Sequence, residues 1–137
     1  MYEIGAFPFL QKKEKLRIML VTSTSGKSWI LPKGHPEADL NKSQVSELEA
    51  YEEAGIKGET FDSKKRAEFE REDGATLIVY PIFITEILDK WPEQEQRKRR
   101  LVSIKEALSL VTKKEHIKAI KYFSSPEMIE KLIKEKS

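Results

Sequence analysis

The sequence contains no cysteine. That excludes a disulfide framework, a thiolate nucleophile and a Cys-ligated zinc. Neither charge dominates: Lys+Arg 25 against Asp+Glu 23 leaves a formal net charge of +2, which argues against bulk electrostatic attraction to nucleic acid. Long hydrophobic runs are missing too. The most apolar stretch, Ala75 to Leu88, is broken by Thr76, Pro81 and Thr85 and falls short of the ~20 apolar residues of a spanning helix. No membrane span is expected. The first residues, Met1-Tyr2-Glu3-Ile4, show no basic segment followed by an apolar one, so the expected compartment is the cytoplasm. Internal repeats and low-complexity segments are absent as well. What is present is a chain of 137 residues, 39% of them hydrophobic, able to bury roughly two-thirds of its unfolded surface around one core.

The order of elements reads as mixed α/β. Ile4 to Leu10 and Leu16 to Thr22 are β-rich runs on either side of a charged turn, which predicts a hairpin. A polar loop, Ser23-Thr24-Ser25-Gly26-Lys27, precedes a short strand at Trp29-Ile30-Leu31 that stops at Pro32-Lys33-Gly34. Helix signals begin at Asn41 or Ser43 and end at Ala54, with Gly55 at the C′ position. Strands are expected at Ala67 to Arg71 and Ala75 to Leu88, joined by an Asp73-Gly74 turn. Ser103 and Glu106 form the pattern of a capping box for a helix to about Val111. Further helices are expected across Glu115 to Phe123 and from Pro126, where Ser125 is the N-cap. The expected total is five or six strands.

Glu49, Glu52 and Glu53 carry the most chemical information. On a helical wheel they fall within an arc of roughly 100°. Val45, Leu48, Tyr51 and Ala54 are expected on the side that packs against a sheet. Like charges at i,i+3 and i,i+4 repel by about 0.2–0.5 kcal/mol per pair on an isolated helix, so something positive should face them. Hard oxygen ligands grouped in this way suit Mg²⁺ or Mn²⁺. A solvated face of a good helix former is the other reading of the same three residues. The loop in front of the helix favours a site, because Gly34 has no side chain to hold a ligand away from the backbone.

From Gly34 to Ile56 the sequence resembles the Nudix box: Gly34, then Glu49, the Glu52-Glu53 pair, Gly55 and Ile56 all fall at that motif's spacing. Two positions depart from it. Leu40 stands where the motif has its first Glu, and Leu48 where it has Arg. Beyond the box, Trp29 to His35, Ala50 to Gly58, Thr85 to Leu88 with Trp91, and Arg97-Lys98-Arg99 are similar to the diphosphoinositol polyphosphate phosphohydrolase branch of the Nudix hydrolases. The likeness extends over residues 4 to 122. It implies a Nudix-type α/β/α sandwich with a mixed β-sheet, residues 1–137 forming one domain with an extra C-terminal helix from about Pro126.

The resemblance also implies an activity, the hydrolysis of a phosphoric anhydride bond in a diphosphoinositol or diadenosine polyphosphate, with Mg²⁺ or Mn²⁺ as cofactor. Glu49, Glu52 and Glu53 would be the catalytic and metal-binding residues, with the backbone at Gly34 as a further ligand. Ser23, Ser25, Lys27, Lys33, Arg97 and Arg99 would bind substrate. Arg97 to Arg100 can equally be read as a charged guard on a sheet edge. Its four residues lack the interleaved aromatics of a nucleic-acid surface, so the expected partner is a small-molecule polyphosphate. Losing both charged members of the box at once is the compensated change, because removing only one leaves a partly buried charge unpaired. Leu40 and Leu48 are therefore expected to share one apolar pocket. A working hydrolase and a catalytically weakened polyphosphate- or nucleotide-binding protein both fit these departures. Trp91 reads as packing under a loop, His35 as a loop residue, and His116 receives no role.

Overall fold

A computed structural model describes residues 1–136. Its sheet has eight strands: β1 (Tyr2–Lys12), β2 (Lys15–Thr22), β3 (Trp29–Ile30), β4 (Lys33–Gly34), β5 (Ile56–Thr60), β6 (Ala67–Glu70), β7 (Thr76–Ile87) and β8 (Arg99–Ser103). The helices are α1 (Lys42–Ala54), α2 (Ile104–Leu110), α3 (Lys114–Ser124) and α4 (Pro126–Glu135). The strands beyond the expected five or six are short pieces, β3 and β4 having two residues each. Their apolar pattern is too brief to register as a period.

The sheet is mixed, in the order β3-β2-β1-β7-β5, with β4 on β1, β6 on β7 and β8 on β2. Its spine is the parallel pairing of β1 with β7, from Tyr2 opposite Thr76 to Phe9 opposite Phe83. Side chains alternate across the pleat of β1. Ile4 and Ala6 face α1, where they meet Val45, Ala50, Tyr80 and Ile82. Phe7 and Phe9 face the other helices and join Leu20, Phe61, Ala107, Ile120, Phe123 and Leu132 in the main core. The rings of Phe7 and Phe123 stack at 5.3 Å between centroids, and those of Phe9 and Phe61 at 5.9 Å. One helix on one face and three on the other make the expected α/β/α sandwich. Among the described residues no helix is long and apolar enough to cross a membrane.

The boundaries of α1 follow from its caps. Asn41 Oδ1 accepts from the Gln44 N–H at 2.9 Å while the Gln44 side chain accepts from the Asn41 N–H at 2.9 Å, a reciprocal capping box. Gly55 closes the helix at φ 66, the left-handed conformation that glycine adopts without strain. At α2 the box is half-formed: Ser103 Oγ caps the Glu106 N–H at 3.1 Å, whereas the Glu106 carboxylate pairs with Arg100.

The face of α1 that packs on the sheet differs from the expected one. Its buried residues are Val45, Ser46, Glu49, Ala50, Glu53 and Ala54, while Tyr51 is exposed and Leu48 half-buried. Small side chains explain the rotation. Ala50 and Ser46 let the helix approach β1 closely, and Ser46 Oγ donates to the Gly5 carbonyl at 3.0 Å. Glu49 and Glu53 are consequently carried inward rather than into open solvent.

Candidate functional site

Glu49 and Glu53 line a cleft of about 420 Å³ between α1, the Lys33–Glu37 loop and the turn at Glu93. Gly34 is held there by its pairing with Ile4 of β1. A Cβ on Gly34 would fall inside the Glu49 carboxylate, so only glycine permits this approach. Glu53 is gripped from two sides: Oε1 accepts from the Lys33 N–H at 3.1 Å, and Oε2 pairs with Arg97 Nη2 at 3.2 Å. Glu52 is half-buried and does not line the cleft.

The two inner carboxylates differ in how their charge is met. Burial, reinforced by Glu53, Glu52, Glu93 and Glu37, pushes Glu49 up to about 8. Burial also raises Glu53, to about 7, but there Arg97 and the Lys33 N–H act against it. Glu52 is raised by burial and by Glu93 and Glu37. A buried carboxylate surrounded by other carboxylates favours a bound cation or a proton. Among the described residues no three Asp, Glu or His side chains gather closely enough to hold an ion by themselves. Mg²⁺ commonly takes one or two carboxylates and completes its shell with water and substrate phosphate. The donors at Glu49, Glu53 and the Gly34 backbone fit that kind of ion.

Other expected site residues fall into two groups. Ser23, Ser25, Lys33 and Arg97 line a second, adjoining hollow of about 270 Å³. Lys27 is exposed and lines neither hollow. Arg99 lines neither hollow as well; its Nη1 donates to the Ala54 carbonyl at 2.9 Å and its guanidinium lies 3.8 Å from the Trp91 ring centroid. It fastens the C-terminus of α1. Trp91 donates from Nε1 to the Glu53 carbonyl at 3.0 Å, in keeping with packing under a loop. Arg97 is also heavily engaged, with Glu93 at 2.7 Å and the Thr22 carbonyl at 2.9 Å in addition to Glu53.

Sequence reasoning missed several residues here. Glu93 enters the cleft because its N–H is tied to the Glu52 carbonyl at 2.9 Å. Glu3, on the buried end of β1, binds Lys33 Nζ at 2.8 Å and also Arg71. His116 is fully buried, and its Nδ1 accepts from the Leu31 N–H at 3.1 Å, anchoring the strand end that leads into the Lys33–Gly34 loop. No local pattern marks these three, since each acquires its partner only through the fold. Leu40 and Leu48 both line a hollow of about 580 Å³ along α1, together with Ala50, Ile56 and Ile82 but also with Gln44, Glu47 and Lys57, so the two departures from the box share one hollow that is only partly apolar.

No family model matches the chain. It is 33% identical over 106 residues to Nudix hydrolase 12, mitochondrial, of Arabidopsis thaliana, covering 70% of this chain and 52% of that protein. It is 28% identical over 106 residues to diphosphoinositol polyphosphate phosphohydrolase 2 of Rattus norvegicus, covering 75% and 58%. The chain thus spans about half the length of the curated relatives it matches. In three dimensions it resembles a C. elegans Ap4A hydrolase in a binary complex, with a TM-score of 0.73 over 90% of this chain and 94% of that one, at 16% identity. That likeness shows the fold. With the sequence relatives, and with Gly34, Glu49 and Glu53 meeting in one cleft, it leads to one assignment: the chain belongs to the Nudix hydrolase superfamily.

Proposed function

We propose that the chain hydrolyses a phosphoric anhydride bond in a small polyphosphorylated substrate, using Mg²⁺ or Mn²⁺ held by Glu49, Glu53 and the Gly34 backbone. The observation that carries this reading is the Glu49 carboxylate, buried against Gly34 with other carboxylates around it and, among the described residues, no cation paired to it. Both names among its relatives, a diphosphoinositol polyphosphate phosphohydrolase and an Ap4A hydrolase, fit this chemistry.

A divalent ion held by Glu49, Glu53 and the Gly34 backbone would supply charge neutralisation of the diphosphate and a more acidic water as nucleophile. The protein's part is positioning. Gly34 brings the backbone against the carboxylate, and the Lys33 N–H fixes the rotamer of Glu53. Arg97 holds Glu53 through Nη2 and Glu93 through Nε of one guanidinium. Glu93, which lines the cleft, and Glu52, whose carbonyl is tied to the Glu93 N–H, are candidates to accept a proton there.

A second reading, a polyphosphate-binding protein with weakened catalysis, is favoured by one observation. Glu53 already has Arg97 as its counter-ion, which reduces its attraction for a metal. Product analysis by phosphorus NMR over diadenosine tetraphosphate, a diphosphoinositol polyphosphate and ADP-ribose separates the two. Hydrolysis should require Mg²⁺ or Mn²⁺, stop with chelator and fall at least about a hundredfold in Glu53→Gln. Binding without turnover on all three would favour the second reading.

A further inference from the structure

His116 is fully buried in α3 and takes no part in the chemistry of the acidic cleft. It falls on the same helix stripe as Ala119, Ile120 and Phe123, which pack into the main core. Burial, with Lys33, Lys113 and Arg71 nearby, keeps the imidazole neutral. Nδ1 therefore retains the lone pair that accepts from the Leu31 N–H at 3.1 Å, and the ring hydrogen sits on Nε2. Among the described residues, that Nε2 is the buried side-chain polar atom with no partner. An orphaned donor lowers stability, and an apolar side chain on the same stripe would avoid the loss. What the imidazole supplies in return is the bond to Leu31.

That bond lands on the backbone leading into one wall of the cleft. Leu31 lies between the end of β3 and the start of β4, outside both strands. Pro32, next to it, has no N–H to give, and its carbonyl accepts from the Ala6 N–H at 3.0 Å. The Lys33 N–H goes to Glu53 Oε1 at 3.1 Å. Gly34, paired with Ile4, then lies against the Glu49 carboxylate. The two N–H groups of this three-residue segment thus end on side chains, one from α3 and one from α1, which pack on opposite faces of the sheet. Without His116 the Leu31 N–H would be left buried and unpaired, and the segment could meet its own need only by moving.

We propose that His116 is a positioning residue for the divalent ion: by holding the Leu31 N–H it fixes the backbone that carries the Lys33 N–H to Glu53 and Gly34 to Glu49, and so sets the cleft's affinity for metal from the opposite face of the sheet. The inference rests on the metal-dependent reading above. Two substitutions separate this role from core filling. His116→Leu keeps a side chain of similar size and suits the apolar stripe, but it removes the acceptor. His116→Asn fits the core less well, yet its Oδ1 branches from Cγ as Nδ1 does and can accept from the same N–H. Core filling favours the leucine; positioning favours the asparagine.

Titration of the full chain with Mn²⁺, without substrate and with free ion read by electron paramagnetic resonance, tests the proposal. His116→Leu should bind Mn²⁺ about tenfold more weakly than wild type, the scale on which outer partners of a metal site act. His116→Asn should bind as wild type does. Leu132→Ala, which opens a cavity in α4, should destabilise the fold without weakening Mn²⁺. In diadenosine tetraphosphate hydrolysis, His116→Leu should need about tenfold more Mg²⁺ for half-maximal rate, with KM for the nucleotide at saturating Mg²⁺ little changed. Wild-type Mn²⁺ affinity in His116→Leu, or in His116→Phe should the leucine variant not fold, would overturn the proposal. So would equal losses in His116→Leu and His116→Asn, or an equal loss in Leu132→Ala; these outcomes leave the hydrolase reading standing. His116-dependent Mn²⁺ binding without hydrolysis of any polyphosphate would overturn the hydrolase reading alone, and no Mn²⁺ binding by wild type would overturn both.

Discussion

Arg97 Nη2 lies 3.2 Å from Glu53 Oε2, and the same guanidinium reaches Glu93 through Nε at 2.7 Å. The pair is almost wholly shielded from water, with side-chain exposures of 11% for Arg97 and 4% for Glu53. A cation from the segment before β8 thus meets the charge of a helix whose own box position is Leu48.

Removing that cation should be costly. Arg97→Ala leaves Glu53 and Glu93 without their counter-ion, and breaking a buried pair from one side costs about 3–5 kcal/mol. Urea denaturation near neutral pH should show a loss of that order. Arg99→Ala should also destabilise, by loss of a helix-end contact and of the stacking on Trp91, while leaving the relative preference among substrates unchanged. Reversed outcomes, with Arg99 setting preference and Arg97 silent in stability, would contradict the geometry.

Stability should depend on pH in a way that divalent metal reverses. Glu49 and Glu53 hold protons to about 8 and about 7 in the folded chain, against an ordinary 4.5. Between about 4.5 and about 8 the folded state binds more protons than the unfolded, so the metal-free protein loses stability as pH rises through that window. Metal stabilises the ionised form. Thermal melts should therefore show a larger upward shift on adding Mg²⁺ at pH 8 than at pH 5.5.

His116 has the opposite sign. Burial, with Lys33, Lys113 and Arg71 nearby, pushes its imidazole down to about 3. Between 6.5 and about 3 the unfolded chain binds the extra proton, so this contribution is fully present above about 6.5 and is lost as pH falls. Protonation would also remove the Nδ1 acceptor that holds the Leu31 N–H. His116→Gln should flatten the acid limb of the stability profile; an unchanged acid limb would show that other groups set it.

The shared pocket of Leu40 and Leu48 gives a coupled pair. Leu40→Glu and Leu48→Arg should each destabilise, since each replaces an apolar lining side chain by a charge without supplying the opposite charge of the other. Together they should be less harmful than the sum of the two, by an interaction energy of about 0.5–3 kcal/mol. Strict additivity in a double-mutant cycle would mean that the two positions are not acting as a unit.

How much of this could be read from the chain follows from the range of the interactions. The ends of α1 were legible because Asn41, Gln44 and Gly55 act within one turn of each other. The β6–β7 turn was legible because Asp73-Gly74 declares it, Gly74 having φ 84. The Gly34 to Ile56 spacing identified the superfamily. The inward rotation of α1 was not legible, because it depends on how closely Ser46 and Ala50 approach β1. The roles of Glu3, Glu93 and His116 were hidden for the same reason, as Lys33, Arg97 and Leu31 reach them only across the fold. Arg99 was misleading: a strand arginine in a basic run looks available to a ligand until Trp91 is placed over it.

The proposed role of the Glu49 cleft is metal-dependent hydrolysis of a diphosphate. Its most direct test is the rate of diadenosine tetraphosphate breakdown in excess Mg²⁺ by wild type and by Glu49→Gln, with both shown by circular dichroism to be folded. Wild type should turn the substrate over measurably, and the variant should be slower by at least about a hundredfold. Equal rates in the two proteins, or turnover that persists in wild type after chelation of Mg²⁺, would contradict it.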